Sequence, residues 1–390
     1  MSKRVAIIGV GMEKSGSATV PSWNLFAQAA LSAIQDAGIE KSRIQALHLG
    51  NVYSAFTEKQ TNMAPLALST LGMNTNIPAM RYETACASGS VAFRQGYLGI
   101  LSGLYDIVLV GGTERLKAIS GTAVQEAMAT SMDVAERSAG LTFAVYWSYV
   151  AKAYARKHHL DDNQLQDLLA KISVKNHFHG SFNKRAQFQK EVAVEDILKS
   201  PVVAPPIKVM DCCPFSDGAA ALVLASDSIA KQSKKPIWIA GSGQASGSWS
   251  IADSTDLASN PAITKAARDA YRLAGVGPKD IDLVEVHDCV NIHEVICLEN
   301  VGLFKEGEGI HSADERRTYF DGDMPANVSG GLKSRGHPVG ATGAYQLCEI
   351  TQQLRGEFEG KKTRDPAVGL TVNVGGTGTV VTVHILRREV

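Results

Sequence analysis

Residues 4–12 read RVAIIGVGM, and residues 236–244 read PIWIAGSGQ. Each is a short apolar run, rich in β-branched residues and stopped by Gly, the pattern of a buried strand. The segments that follow are also alike. An amphipathic stretch from Trp23 to Ala37 closes at Gly38, and ITKAARDAYRLAG (263–275) repeats it, with Gly as the helix-stop signal. IQALHLGNV (44–52) pairs with IDLVEVHDC (281–289) as a second strand-like run. TACASGSVAFRQGYLGILSGL (84–104) and NVSGGLKSRGHPVGATGAYQLCEITQQL (327–354) each set small residues before an apolar helix. DIVLVGGTE, from Asp106, and AVGLTVNVGGTGTVVTVHIL (367–386) close the two series. This order predicts an internal duplication of roughly 150–170 residues per half. Strands alternating with helices predict an α/β fold with a largely parallel sheet, its two halves packed as a layered sandwich around a shared site.

The stretch from Leu116 to Val203 breaks the pattern. It carries helical periodicity (VYWSYVAKAYARKHHL, then NQLQDLLAKISVKNHFHGSFN) and more charge, without strong strands. It reads as a helical loop domain inserted in the first half and lying over the surface. The expected division is therefore 1–115 with 204–235, the insertion at 116–203, and a second half at 236–390.

Composition narrows the function. The 390 residues carry 39 basic and 39 acidic side chains, a net charge of zero, which argues against a nucleic-acid footprint. No run approaches the ~20 apolar residues of a membrane span, and MSKRVAIIGVGM enters a strand directly instead of forming a signal peptide. A soluble cytoplasmic enzyme or scaffold is expected. The six cysteines (86, 212, 213, 289, 297 and 348) form no CxxC pair. They suggest neither a disulfide framework nor a structural zinc site.

Four places carry chemistry. Cys86 stands in ETACASGS between a strand and a helix, where the helix N-terminus is expected to lower its pKa and its N–H groups to hold an oxyanion. His337 lies in GGLKSRGHPVGATGAYQ among glycines, on a rigid loop that can present a base to a thiol. His287, Asp288 and Cys289 end an apolar strand. Alternation places His287 and Cys289 on one face and turns Asp288, as a structural residue, to the other. A zinc pair is the competing reading of His287 and Cys289, with two ligands missing. Finally, NVGGTGT (373–379) exposes backbone N–H groups at a strand end. It matches no nucleotide-cradle motif.

Taken together, these motifs resemble the thiolase superfamily over nearly the whole chain: Cys86 in its CxS turn, CPFSDGAAA from Cys213, GGLxxxGHPxGATG around His337 and the terminal GG loop. The resemblance implies the duplicated thiolase fold, a layered αβαβα sandwich with a helical loop domain. It also implies action on coenzyme A thioesters as a dimer or tetramer. Two departures refine it. Asn373 stands where common thiolases carry a second cysteine, and HDCV replaces an NEAF-type motif. The sterol-carrier-protein type, with archaeal and bacterial relatives, shares this change as HDCF; Val290 stands at its Phe. By this resemblance Cys86 is the nucleophile, His337 its base and Cys289 the acid/base at the α-carbon. The N–H groups of Cys86 and Gly376 would hold one oxyanion, with His287 near the other thioester oxygen. Coenzyme A is then substrate and product, with no metal or tightly bound cofactor. Ser246 and Ser248 in GQASGSW are candidate CoA contacts. A small OB-fold, zinc-ribbon partner protein is expected from the family type alone, and no sterol-carrier lipid-binding domain is expected after the strand HILRREV. The competing readings are a β-ketoacyl synthase using His287 and Asn373, and a catalytically silent acyl-CoA-binding scaffold.

Overall fold

The computed structural model describes residues 4–388; the first three residues, which open the expected strand entry MSKRVAIIGVGM, and the last two lie outside the described residues. In chain order the strands are β1 Val5–Met12, β2 Ala46–Gly50, β3 Ala79–Tyr82, β4 Ile107–Arg115, β5 Val202–Ala204, β6 Ile207–Lys208, β7 Asp217–Ser226, β8 Ile237–Ser246, β9 Leu283–Glu285, β10 Val368–Gly375 and β11 Val380–Arg388. Nine form one sheet in the order β3-β2-β4-β7-β1-β8-β11-β10-β9, while β5 and β6 form a separate hairpin.

The duplication is written into that order. β2-β4-β7-β1 and β9-β10-β11-β8 run in the same sequence with the same directions: the first pair parallel, the next two antiparallel. β3 adds a parallel neighbour to β2; its counterpart beside β9 is reduced to a single parallel bridge, Val284 to Ala326. The two leading strands meet antiparallel at Ala6–Trp238 and Ile7–Ile237. The sheet is thus mixed, not largely parallel. In the second half β10 and β11 are joined by only Gly376–Thr379, far too short for a parallel crossover.

The helices Ser22–Ala37 and Pro261–Ala274 pack on the outer faces and end at glycines with positive φ, Gly38 at 64° and Gly275 at 67°. They lie against glycines at matching strand positions. A Cβ on Gly9 would stand 2.1 Å from Ala33 O, and one on Gly241 2.2 Å from Ala270 O, so a side chain there would expel the helix. Between the halves lie the helices Ser88–Leu101 and Thr342–Arg355. Phe93, Tyr97, Tyr345 and Leu347 share one core with the inward faces of β1, β4, β7 and β8, which completes the five layers. The N-termini of these middle helices touch: a Cβ on Gly343 would be 2.5 Å from Ser90 Cβ and 2.5 Å from Asn373 Oδ1. That contact places the turn before Ser88 against the loop before Thr342.

Between β4 and the β5–β6 hairpin run the helices Gly121–Ala129, Val134–Ser138, Phe143–Lys157, Asp162–Ser181 and Val194–Lys199. They are more than a surface cover. Trp147, Val150, Tyr154 and Leu165 share a core with Val286, Ile292 and Val295 of the second half, and Lys175 is fully buried in an ion pair with Glu294. Among the described residues, no helix is long and apolar enough to cross a membrane.

Candidate active site

Cys86 occupies a strained turn between β3 and the helix Ser88–Leu101. Ala85 before it has φ 49°, a left-handed conformation that a non-glycine residue adopts at a cost of about 1–3 kcal/mol. Ser88 holds the turn closed: its hydroxyl donates to Ala85 O at 2.6 Å and accepts from Thr84 N at 2.9 Å. The thiol is buried, and the backbone amides of Gly376 and of Cys86 itself lie close enough to favour its thiolate form. These amides lower its pKa, as the helix terminus was expected to do, but burial outweighs them. The thiol is pushed up to about 12, with Glu114 and Glu83 adding to the rise. This corrects the expectation of a lowered pKa: the resting Cys86 is a neutral thiol that needs a base when substrate arrives.

His337 supplies a base beside it. Its loop is pinned by Ser216 Oγ, which accepts from His337 N at 2.8 Å, and by Glu114, which accepts from Gly340 N at 3.1 Å and Tyr53 N at 3.1 Å. Thr342 Oγ1 donates to Pro338 O at 3.0 Å and lies 2.6 Å from His337 Nδ1. Since the threonine proton is committed to Pro338, Nδ1 must carry the ring proton and donate it to Thr342. Nε2 is then the basic nitrogen, and it is buried with no protein partner. Burial, reinforced by Arg335, lowers the imidazole to about 3, so the ring is neutral and able to accept a proton.

The third segment arrives past the end of β9. Cys86 Sγ and a ring nitrogen each of His287 and His337 lie within 4.8 Å of one another. His287 Nδ1 is 3.0 Å from Asn373 Nδ2; with the amide donating, the ring proton sits on Nε2 and His287 presents a hydrogen-bond donor. Burial and then the two neighbouring histidines keep this ring neutral. Asp288 points the other way, accepting from Leu332 N at 2.7 Å and from Asn176 Nδ2 at 2.9 Å, which ties the strand end to the His337 loop and to the helix Asp162–Ser181. Cys289 is half-buried. Its Sγ lies 3.7 Å from His293 Nδ1, and burial, then neighbouring Cys213, pushes the thiol well up.

Cys86, His287, Cys289, His337 and Gly376 therefore meet, although they lie far apart in the chain. Ser246 and Ser248 do not join them. Ser246 is the exposed end of β8. Ser248 lines an adjoining cavity with Tyr146, Trp147, His293, Thr377 and Gly378. Sequence reading passed over Thr342, Glu114 and His293. The signal for His293 was its place in the first turn of the helix that follows Cys289 directly. Glu114 ends a strand with no motif around it and offered no signal.

Residues 5–228 match the model of the thiolase N-terminal domain, and residues 243–388 match that of the thiolase C-terminal domain-like family. The chain belongs to the thiolase family. It is accordingly an acyltransferase enzyme. This thiolase is 39% identical over 387 residues to the acetyl-CoA acetyltransferase of Methanothermobacter thermautotrophicus, spanning 98% of this chain and 99% of that one. It is 32% identical to sterol carrier protein 2 of Gallus gallus over 98% of this chain and 71% of that protein. Among solved structures it resembles an Ltp2-ChsH2(DUF35) aldolase, with a TM-score of 0.81, 21% identity and coverage of 99% and 98% of the two chains. At that identity the likeness concerns the fold.

Proposed function

We propose that this thiolase transfers acyl groups between coenzyme A thioesters through a thioester on Cys86. It would cleave a 3-oxoacyl-CoA with CoA or run the reverse Claisen condensation. The observation that carries this reading is the meeting of the Cys86 thiol with His337, His287 and two backbone N–H donors in one buried pocket. His337 Nε2 takes the Cys86 proton as sulfur attacks the acyl carbon. The N–H groups of Cys86 and Gly376 would hold the oxyanion, and the proton passes to the departing CoA thiolate. In the second step Cys289 removes the α-proton of the next thioester. His287 Nε2–H donates to the enolate oxygen, and the carbanion attacks the Cys86 thioester. A covalent nucleophile and a separate proton shuttle are what this chemistry needs.

CoA would enter beside Ser248 and Thr377, which line a cavity together with His293. Similarity to a named acetyl-CoA acetyltransferase favours a short acyl group. β3 is an unpaired sheet edge with Met80 exposed, a surface suited to pairing with a second copy. The solved neighbour that carries a DUF35 protein supports a small partner of that kind. Six free cysteines favour a reducing, cytoplasmic setting. The His287–Asn373 contact also favours a second reading, a condensing enzyme of the β-ketoacyl synthase kind; dependence on an acyl-carrier protein instead of CoA would select it.

The test is intact-protein mass spectrometry after incubation with acetyl-CoA or acetoacetyl-CoA. An acetyl adduct is expected on the wild type and on Cys289→Ala, cleared by free CoA, and absent from Cys86→Ala. A wild-type protein that takes no adduct from these or from longer and aryl 3-oxoacyl esters refutes the reading and leaves the silent scaffold.

A further inference from the structure

Cys289 cannot act as a base while it carries its proton, and its surroundings hold that proton firmly. Some neighbouring atom must receive it. Among the described residues, the Cys289 thiol and ring nitrogens of His287 and His293 form one group, all within 4.8 Å of one another. His287 is not free to accept: Nδ1 receives the Asn373 amide and Nε2 bears the ring proton. His293 Nδ1, 3.7 Å from Cys289 Sγ, has no other hydrogen-bond partner among the described residues. The same imidazole is one wall of the cavity beside Thr377 and Gly378, and Trp147 lies against it, tilted by 37° with ring centroids 4.4 Å apart. It thus touches the shuttle sulfur, packs against an aromatic neighbour, and borders the cavity proposed above for CoA.

We propose that His293 is the proton relay for Cys289, receiving the thiol proton so that the sulfur can take the α-proton of the acceptor thioester. The inference rests on the thiolase reading of Cys86 and Cys289 given above. The proton count closes. The Cys289 S–H bond breaks and an N–H bond forms at His293 Nδ1. The α C–H bond breaks and restores S–H, while its electron pair forms the carbon–carbon bond to the Cys86 acyl group. Cys86 leaves as a thiolate and is reprotonated by the proton parked on His293. A ring this deeply buried, standing in the first turn of the helix Asn291–Asn300, does not keep a positive charge, because burial and the helix N-terminus both disfavour it. It is suited to passing a proton on.

The experiment separates the two half-reactions. Deuterium entry into the methyl group of acetyl-CoA in D2O is read by mass spectrometry in a Cys86→Ala background, and acyl-enzyme formation is read by CoA release with Cys86 intact. His293→Phe keeps a ring against Trp147 without nitrogens. His293→Asn keeps a hydrogen-bonding group that cannot take a proton. Both are expected to cut exchange by about 10²-fold or more, the scale of a lost general base, while acylation persists. Exchange restored by His293→Asn overturns the relay in favour of a hydrogen bond alone. Acylation and exchange falling together, or neither falling, also overturns it. Wild-type protein that forms no acyl-enzyme, with no exchange in the Cys86→Ala background, overturns the underlying reading instead.

Discussion

Thr342→Val tests the electrostatics of the nucleophile's base at a residue that never meets substrate. Valine is nearly isosteric with threonine, so the helix Thr342–Arg355 should start where it does now. What disappears is the oxygen 2.6 Å from His337 Nδ1. The imidazole then has two choices. It can keep its proton on Nδ1, buried and unpaired, at a cost of about 1–3 kcal/mol, or move it to Nε2 and cease to be a base toward Cys86. The first route sets the ceiling: the active tautomer falls by that energy, which is about 5- to 150-fold in the acylation rate at 1.36 kcal/mol per decade. The second caps the loss of folding stability at the same about 1–3 kcal/mol. The assay is single-turnover CoA release from acetyl-CoA, with Thr342→Ser as the conservative control, since serine keeps the oxygen. Acylation at the wild-type rate in Thr342→Val, or equal impairment in Thr342→Ser, would falsify the tautomer argument.

Other consequences are open to measurement. Gly343→Ala forces a methyl to within 2.5 Å of Ser90 Cβ and Asn373 Oδ1; overpacking of this kind costs about 1–3 kcal/mol, and urea denaturation should show a loss at the upper end of that range. Because burial lifts the Cys86 thiol to about 12, its alkylation in the free enzyme should climb about tenfold per pH unit from pH 7 to 10. A plateau near neutrality would mean a resident thiolate. Asp288→Ala unpairs the backbone N–H of Leu332 and removes one of the two carboxylate acceptors of the Asn176 amide, so it should lower both thermal stability and acylation; unchanged acylation would show that the His337 loop stands without it. Sedimentation should find a dimer formed across the β3 edge, and a stable monomer would remove that edge from consideration.

Much of this thiolase is local in origin. Paired strand-helix-Gly segments disclosed the duplication because helix-stop glycines and apolar periodicity act within a few residues. Cys86, His337 and the His287–Cys289 run stood out because reactive residue types set among glycines or at a strand end have few structural uses. Other features needed the assembled chain. Strand direction was misjudged because a parallel or antiparallel partner is chosen by connection geometry across the sheet, and the short link after Gly375 turns β11 back on β10. The Cys86 pKa was misjudged for a similar reason: a helix terminus is visible in the sequence, whereas desolvation depends on how two halves and a helical segment close over the thiol. The proton on His337 is placed by Thr342 and Pro338 together, and His293 gains its meaning only from the sulfur beside it. Sequence determined which groups could react; tertiary packing decided their protonation, because burial and hydrogen-bond partners belong to the whole fold.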